Sequence, residues 1–225
     1  MRNKERIINQ VIRLVTAITR VAVPIIAKAD GPLGKRIPLK NGMILLLSEK
    51  HDIPMVTVNM ALKAGNTAEP QDKPGLASLT ASLLMQGTTK RTASRINREI
   101  DFIGGSLSVS GGDDFASASL RVLKKDVKTG MDLLSDVLMN PAFDQREIDR
   151  TVKEALAEIQ RQKEEPETVA SEAFAKAVFG KHPYGITSDD VAAYLPKLAR
   201  QDLLDFYRQH YGPNNTIIAV VRDVK

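Results

Sequence analysis

The sequence is informative first for the residue types that it lacks. It contains no cysteine and no tryptophan among 225 residues, and aromatic side chains make up only 4% of the chain. The absence of cysteine excludes disulfide bonds and is compatible with any cellular compartment. Because large aromatic residues are scarce, we expect alanine, leucine, isoleucine and valine to fill the core.

Histidine is also rare, with His51, His182 and His210 as the complete set. Two imidazoles can hold one zinc ion from a single helix when they stand three or four residues apart, because such positions share one face. No two of the three histidines have this spacing. The sequence therefore carries no pair of histidines that could hold zinc from one helix.

The chain has a net charge of +5, with 32 lysine and arginine residues against 27 aspartate and glutamate residues. Acidic residues are interleaved with the basic ones, and no RNA-binding signature or aromatic-basic cluster is present. This pattern favours solvated helix faces and predicts no nucleic-acid partner. The hydrophobic fraction of 43% is typical of a soluble globular domain with a sizeable core.

Residues 1–30 differ from the rest of the chain. Met1–Arg6 is basic, Ile7–Ile26 is mostly apolar, and Ala27-Lys28-Ala29 has the A-x-A form of a signal-peptidase site. This order predicts a signal peptide and a periplasmic or otherwise exported protein. A transmembrane span is not expected, because no uninterrupted apolar run approaches about 18 residues.

A second interpretation of the same segment rests on its arginines. Arg6, Arg13 and Arg20 recur every seven residues and would share one helix face, opposite an apolar side. Such a basic amphipathic helix can lie on an anionic membrane surface, which would make the protein membrane-peripheral. A third interpretation is a helix docked on a partner or on its own domain. The sequence leaves the three open.

Periodicity and turn residues divide the remaining chain into short elements. Residues 30–38, with two glycines and two prolines, predict a linker. The predicted strands are Met43–Ser48, Met55–Ala64, Ser106–Ser110, Phe115–Leu123 and Thr216–Val221. The predicted helices are Leu76–Gln86, Thr92–Ile103, Asp126–Met139, Glu147–Gln162, Thr168–Phe179 and Arg200–Tyr211. Hairpin-like strand pairs with segregated helices indicate an α+β fold with a mainly antiparallel sheet flanked by helices.

The segment 75–88 has the frame G-L-A-x-x-x-x-x-L-L-M-x-G-T. It resembles the zinc-site helix of the insulinase, pitrilysin and mitochondrial-processing-peptidase family, which carries the inverted zinc motif H-x-x-E-H inside this frame. Aligned in this way, Ser78, Ala81 and Ser82 occupy the family's His, Glu and His positions. Serine is a poor zinc ligand and alanine cannot act as a general base, so we expect no catalytic residue, no metal and no cofactor.

Further motifs extend this resemblance over residues 36–223, which we predict to form one inactive peptidase-like α+β domain. Ala64–Pro70 resembles the family's A-G-S-x-x-E loop, and His182-Pro-Tyr-Gly185 resembles its H-P-Y-G turn. We expect His182 to be structural, since it has no partner motif. Chains of the family usually contain two such halves, and this chain is similar to the N-terminal one.

The family takes its third zinc ligand from a glutamate on a later helix. The resemblance places Glu158 at that position, whereas a second glutamate usually found two turns earlier falls near Thr151. One carboxylate does not make a zinc site, so Glu158 is not expected to bind metal alone. The alternative is a solvated helix charge, which is the usual state of glutamate.

Residues Ser106, Leu107, Ser108, Val109 and Ser110 resemble the family's edge strand, which pairs with extended substrate in active members. An exposed edge can add a peptide strand through backbone hydrogen bonds, whatever its side chains. The segment is therefore a candidate peptide-binding strand, although Ser108 replaces the family's Asn. The alternative is an ordinary strand-turn-strand with glycine at the bend.

Together these observations predict a non-catalytic zinc-peptidase-like subunit. The resemblance implies an active zinc-peptidase subunit of the same family as its partner, with this chain forming part of a chamber that encloses peptide. The alternative is a structural subunit of a membrane-associated complex, as the related core subunits of the cytochrome bc1 complex are. A peptidase that works alone with serine ligands is not expected.

Overall fold

The computed structural model describes residues 34–49 and 53–222. The N-terminal segment and His51 lie outside these residues, so the three interpretations of residues 1–30 stay open. The strands are β1 (Lys35–Pro38), β2 (Ile44–Glu49), β3 (Met55–Leu62), β4 (Ser106–Ser110), β5 (Ala116–Leu123) and β6 (Thr216–Arg222). The helices are α1 (Leu76–Leu84), α2 (Ala93–Phe102), α3 (Val127–Met139), α4 (Gln145–Gln162), α5 (Pro166–Phe179), α6 (Ser188–Tyr194) and α7 (Arg200–His210).

The six strands form one sheet in the order β1-β2-β6-β3-β5-β4. Four neighbouring pairs are antiparallel, and β2 pairs with β6 in parallel. The chain enters the sheet at one edge, and the last strand closes it between β2 and β3. The α+β fold class with a mainly antiparallel sheet is thereby confirmed.

One face of the sheet is buried under helices. In β5, Ala116, Ala118, Leu120 and Val122 are buried, whereas the residues between them are more exposed. This alternation is typical of a strand with one covered face, and α1 and α3 contact it. Most buried residues are valine, leucine, isoleucine and alanine, as the composition predicts.

The prediction of a linker over residues 30–38 is wrong for Lys35–Pro38, which form β1. This short strand pairs antiparallel with β2, from Lys35 opposite Leu47 to Pro38 opposite Ile44. Proline lacks a backbone donor, but an edge strand tolerates it because one side of the strand needs no partner. The glycine and proline content indicated a linker, and pairing with β2 overrides that local signal.

The helix α6 is an element that the sequence-based assignment lacks. Thr187 caps it by accepting a hydrogen bond from Asp190 N–H, and the Asp190 carboxylate accepts one from Thr187 N–H in return. This reciprocal pair is a capping box, for which T-x-x-D is a sequence signal. The predicted helices and the other strands agree with the structure to within two residues at each end. Within the described residues no helix combines the length and apolar character needed to cross a bilayer.

Candidate functional site

A buried carboxylate fixes where α1 begins. Gly75, in the left-handed conformation at φ 86°, leads into the helix. The two oxygens of Glu69 accept hydrogen bonds from the N–H groups of Gly75 at 3.0 Å and Ala77 at 2.9 Å. A negative charge here satisfies unpaired donors and complements the helix dipole. Burial nevertheless raises the pKa of Glu69, against the opposing effect of these hydrogen bonds.

The residues at the family's zinc positions do not all face the same environment. Ala81 is completely buried in the core, Ser78 is half-buried and Ser82 is exposed. Ser78 and Ser82 line a cleft of about 480 Å³, and Glu158 from α4 lines it as well. The structure therefore brings together three of the four positions, whereas the Ala81 methyl group packs inside.

The hydroxyl of Ser78 belongs to a chain of hydrogen bonds that we call the polar clasp, made by Asn66, Ser78 and Asp113. Ser78 Oγ donates to Asn66 Oδ1 at 3.0 Å, and Asn66 Nδ2 donates to Asp113 Oδ1 at 3.1 Å. The backbone N–H of Asn66 also donates to the carbonyl of Gly112 at 3.0 Å. The clasp thus ties α1 to the loop after β3 and to the loop between β4 and β5.

The β4–β5 loop approaches α1 closely at the same point. A Cβ atom added to Gly111 would lie 2.6 Å from Ser78 Cα and 3.0 Å from Ser78 Oγ. A real Cβ cannot be accommodated at such distances, so the approach requires glycine at this position. One side of Ser78 is consequently occupied by the chain's own backbone and by the Asn66 side chain, and Ser78 also lines the cleft.

The H-P-Y-G turn packs against the same loop. Tyr184 OH donates to the Asp114 carboxylate, with oxygen distances of 2.8 and 2.9 Å, and this hydrogen bond is the main reason why the pKa of Tyr184 is raised. Nδ1 of His182 accepts a hydrogen bond from Tyr184 N–H at 3.2 Å, and the two rings pack edge to face. His182 therefore shapes the turn, and it does not line the cleft that contains Ser78.

Glu158 is engaged by neighbours on its own helix. Arg161 Nε and Nη2 donate to its two oxygens at 3.0 and 2.5 Å, and Gln162 Nε2 donates to one of them at 2.9 Å. The Arg161 guanidinium is the main cause that lowers the pKa of Glu158. Glu158 thus lines the same cleft as Ser78 and has the partners expected of a solvated helix charge.

The family's zinc ion does not fit the donors in this cleft. Ser78 Oγ is directed to Asn66, and Ser82 Oγ donates to the carbonyl of Ser78 at 3.0 Å, so both hydroxyls serve intramolecular bonds. Hydroxyls are also weak ligands for zinc compared with imidazole or carboxylate. Among the residues that the structure describes, no group of three or more histidine, cysteine, aspartate or glutamate residues is arranged to hold a metal ion.

The candidate peptide-binding strand lies at an edge of the sheet. β4 pairs with β5 on one side, and no further strand pairs with it within the described residues. Ser106, Ser108 and Ser110 are exposed, Leu107 is half-buried and Val109 is buried. β4 also contacts α1, so an extended peptide added to this edge would lie beside the cleft. Peptide binding here stays a prediction.

Asn66, Asp113 and Tyr184 are site residues that the sequence-based reasoning did not single out. Asn66 lies in an A-G-N-x-x-E loop and Asp113 in a G-G-D-D turn. These motifs predict two loops, but they do not predict that the two loops are in contact. Asn66 and Asp113 are 47 residues apart, and no local pattern pairs positions at that separation. The signal that could have found Asn66 is its place in the loop before the zinc-site helix, where the family has serine.

Sequence comparison identifies the class of protein that this fold and cleft define. The profile of the insulinase family, peptidase family M16, matches residues 44–188, and the chain belongs to that family. An uncharacterized zinc protease from Rickettsia felis is 27% identical over 83% of this chain and 45% of its own length. A probable mitochondrial-processing peptidase subunit beta from Arabidopsis thaliana is 26% identical over 83% of this chain and 35% of its own length. The chain spans about half the length, or less, of these relatives.

Solved structures support the same assignment. The peptidase M16 inactive domain from Pseudomonas fluorescens superposes with a TM-score of 0.81 at 26% identity, over 85% of this chain and 47% of that chain. Pitrilysin shares the fold, with a TM-score of 0.74 at 20% identity over 88% of this chain and 22% of its own. The resemblance inferred from the motifs is therefore confirmed.

Proposed function

We propose that this chain is a non-catalytic peptidase-like subunit that pairs with an active zinc peptidase of the same family and forms one wall of a chamber that encloses peptide. The polar clasp is the observation that carries the proposal. It binds the hydroxyl at a zinc-ligand position to Asn66 at 3.0 Å, and the neighbouring Ala81 is buried with no proton acceptor. A fold of this family without ligands or base can hold a substrate without cleaving it.

Two comparisons support a partnered role. One structural relative is described as the inactive domain of a peptidase M16, and one sequence relative is described as a subunit of a processing peptidase. This chain covers 47% and 35% of the lengths of these two proteins. In this proposal the chain supplies one wall of the chamber, and a second peptidase-like domain supplies the other.

The position of β4 supports a role in holding peptide. Backbone pairing with an edge strand gives affinity that depends little on side-chain identity, which suits a wall that receives varied sequences. β4 lies against α1, and α1 carries the serines of the cleft. A peptide held by β4 would be presented next to the cleft, and the active centre of a partner would face it from the other wall.

A second candidate function is a structural subunit of a membrane-associated complex. The observation that favours it is the spacing of Arg6, Arg13 and Arg20, which fits a basic amphipathic helix on an anionic membrane. The same N-terminal segment fits an export signal, under which the protein would act in the periplasm or outside the cell. Fractionation of the native cells separates these two locations.

The experiment that tests the leading proposal is capture of the tagged full-length chain from its native cells. The eluate is assayed for cleavage of fluorogenic peptides, with and without a zinc chelator and with zinc restored afterwards. The purified chain alone is assayed in parallel as the control. We expect a co-purifying protein that bears H-x-x-E-H, together with chelator-sensitive cleavage that the isolated chain lacks.

Two outcomes would contradict the leading proposal. Capture of membrane proteins without a peptidase and without cleavage would favour the structural role. Chelator-sensitive cleavage by the isolated chain would show a catalytic centre that Ser78, Ala81 and Ser82 cannot provide.

A further inference from the structure

The helix α5 and the turn that follows it have no share in the hydrophobic core of the domain. None of the 14 residues of α5 is buried. No side chain of residues 166–187 belongs to the core or to the half-buried apolar side chains that pack on it. Every other helix in the described part of the chain contributes at least one such side chain. Core packing therefore does not hold α5 in place.

Within itself this segment is closely packed, and we call residues 166–185 the α5 flap. The Phe179 ring packs edge to face on the Tyr184 ring, with 5.4 Å between the ring centroids. A Cβ atom added to Gly185 would lie 2.5 Å from the carbonyl oxygen of Gly180, so the turn folds tightly onto the end of the helix. These contacts allow the helix and the turn to move as one body.

Two polar contacts fasten the α5 flap to α6, the helix that follows it in the chain. The Glu172 carboxylate accepts hydrogen bonds from Ser188 N–H at 3.2 Å and from Ser188 Oγ at 3.1 Å. Lys176 Nζ lies 3.1 Å from Asp190 Oδ2, and both side chains of this ion pair are exposed to solvent. Exposed ion pairs contribute little to stability, so the attachment to α6 is weak.

A third contact joins the α5 flap to a part of the chain that is distant in sequence. Tyr184 OH donates to the Asp114 carboxylate of the β4–β5 loop, with oxygen distances of 2.8 and 2.9 Å. Tyr184 lines the cleft that contains Ser78, and so does Asp113 of the same loop. The hydrogen bond between Tyr184 and Asp114, which we call the latch, therefore connects two segments that border this cleft.

The chain is extended at both points where the α5 flap joins the domain. Glu165 precedes the flap and Ile186 and Thr187 follow it, all three with extended backbones. A few residues at the ends of elements are enough to form a hinge. An ion pair between Lys163 and Asp189 joins the end of α4 to the beginning of α6. Rotation at the extended residues would thus move the flap and leave the two neighbouring helices in place.

The α5 flap forms part of the wall of two neighbouring clefts. The cleft that contains Ser78 has a volume of about 480 Å³ and is lined by Glu172, Pro183 and Tyr184 of the flap. The second cleft, of about 840 Å³, is lined by Lys176, Pro183 and other residues of the flap. Because Pro183 lines both, outward movement of the flap would join the two clefts into one groove.

We propose that the α5 flap is a gate for the cleft that contains Ser78, and that the latch between Tyr184 and Asp114 sets the population of its open form. A segment with polar attachments and no core packing opens at a low cost in free energy. β4 leads into the loop that carries Asp114, so a peptide held on β4 enters the cleft when the latch is released. This last step rests on the proposed function, whereas the opening of the flap does not.

The first test measures opening from distances between spin labels on the full-length chain. The chain has no cysteine, so introduced pairs are unique. Ala177→Cys on α5 with Lys128→Cys on α3 reports the position of the flap, and both sites are exposed. Glu167→Cys with Val178→Cys, about 17 Å apart along α5, reports whether the helix stays folded. We expect two distances for the first pair and one for the second.

Latch variants test what controls the open form. Tyr184→Phe should raise the ratio of open to closed flap about three- to tenfold, as loss of one hydrogen bond predicts. Adding Lys176→Gln should raise it further, since this removes the ion pair with Asp190 as well. Tyr207→Phe is the matched control, because its hydroxyl donates to the carbonyl of Leu138 and its loss should leave the flap unchanged.

A double-mutant cycle shows that the effect comes from the latch. Asp114→Ala should have the same effect as Tyr184→Phe, because each removes the same hydrogen bond. The variant that carries both substitutions should open no more than either one alone. Additive effects would mean that the two residues act separately and would contradict the latch.

The final test connects opening to peptide binding. The probe is a fluorescein-labelled peptide rich in valine and threonine, which favours an extended conformation. Affinity is limited by the fraction of the protein in the competent form, so Tyr184→Phe should lower the apparent Kd by the same factor as it raises the open fraction. Tyr207→Phe should leave the Kd unchanged.

The contrary results are distinct. One and the same distance between α5 and α3 in the natural chain and in all latch variants overturns the gate, and so does a changed distance within α5, which means that the helix unfolds. An open fraction that rises without a change in Kd shows that the flap does not control peptide entry. Absence of peptide binding in every variant contradicts the proposed function, while the spin-label distances still decide whether the flap opens.

Discussion

At the scale of single residues, this cleft differs from the zinc site expected of the family in only a few side chains. Ser78, Ser82 and Glu158 line one cleft, so three positions at which the resemblance predicts family zinc ligands lie close together. What differs is chemistry, since hydroxyls replace imidazoles and the Asn66 amide takes up the hydrogen bond of Ser78. The cleft therefore brings these predicted positions together with donors that zinc does not favour.

Restoring the ligands tests whether this geometry is retained. We predict that the variant with Ser78→His, Ala81→Glu and Ser82→His binds about one equivalent of zinc, because two imidazoles and the Glu158 carboxylate would then converge. The measurement is metal content after dialysis, together with the absorption spectrum of the cobalt-substituted protein. The natural chain serves as the baseline.

A fourth substitution, made in the triple variant, tests the role of Glu158 by itself. Glu158→Gln in the restored background should weaken zinc binding by about 10-fold or more, as loss of a charged ligand does. Glu154→Gln is the matched control, since Glu154 is exposed one turn earlier on the same helix and pairs with Arg150. A folded triple variant without zinc would show that Glu158 does not stand at a ligand position.

The sequence predicts these positions better than it predicts their surroundings. The frame around Ser78 places it on the zinc-site helix, because glycine and leucine positions define the helix and its register. The burial of Ala81 and the bond from Ser78 to Asn66 depend on packing between segments that are distant in sequence. Local patterns contain no information on such contacts.

At the scale of elements, a buried ion pair ties the turn after α1 to α3. Asp136 is only 4% exposed, and its carboxylate accepts hydrogen bonds from Thr88 Oγ1 at 2.8 Å, Arg91 Nη1 at 2.7 Å and Asn140 Nδ2 at 3.0 Å. Burial would raise the pKa of Asp136, but these bonds outweigh it and the pKa is lowered. The folded state therefore holds this carboxylate in its charged form.

Removing the cation of this pair should be costly. We predict that Arg91→Met lowers the free energy of unfolding by about 3–5 kcal/mol, because it leaves a buried charge without its counter-ion. Urea unfolding followed by circular dichroism measures this loss. Arg95→Met is the control, since Arg95 pairs with Glu99 at the surface and should cost less than about 1 kcal/mol.

The pH dependence gives an independent check on Arg91→Met. A carboxylate with a lowered pKa stabilises the fold above its ordinary value of 3.8 and loses this contribution as the pH falls through its folded value. The difference in the free energy of unfolding between the natural chain and Arg91→Met should therefore be largest near neutral pH and should shrink below pH 3.8. A difference that stays constant in acid would mean that Asp136 is not its source.

The elements themselves were largely predictable, and the exceptions have physical reasons. Thr92 was expected to cap α2, and it accepts a hydrogen bond from Arg95 N–H there. β1 was not expected, because its proline and glycine neighbours outweigh a pairing that only the presence of β2 makes favourable. The helix pattern of residues 168–179 predicted α5, but periodicity does not reveal which apolar side has a neighbour.

At the scale of the whole molecule, the sheet has two edges with different surroundings. β1 and β4 end the strand order on opposite sides. β4 contacts α1 and α2, and so it lies beside the cleft, whereas β1 contacts β2 and is exposed along its four residues. The sequence pattern predicted β4 as a strand, but it predicted a linker where β1 lies. The order of the strands in the sheet could not be derived from the sequence, because it depends on pairing between segments that are far apart in the chain.

This asymmetry leads to a prediction about where peptide binds. An extended peptide should pair with β4 in preference to β1, because the adjacent α1 cleft offers side-chain contacts beyond the backbone hydrogen bonds. Amide hydrogen exchange of the full-length chain, with and without peptide, measures this directly. We expect slower exchange in residues 106–110 and no change in residues 35–38, since paired amides are protected.

The two edges serve as each other's control in this experiment. Within the described residues each has a strand partner on one side only, so non-specific β-pairing would slow exchange at β1 as well as at β4. Protection confined to β4 would assign the peptide-holding role to the wall that contains Ser78 and Glu158. Protection of both edges, or of neither, would contradict that assignment of peptide binding to β4.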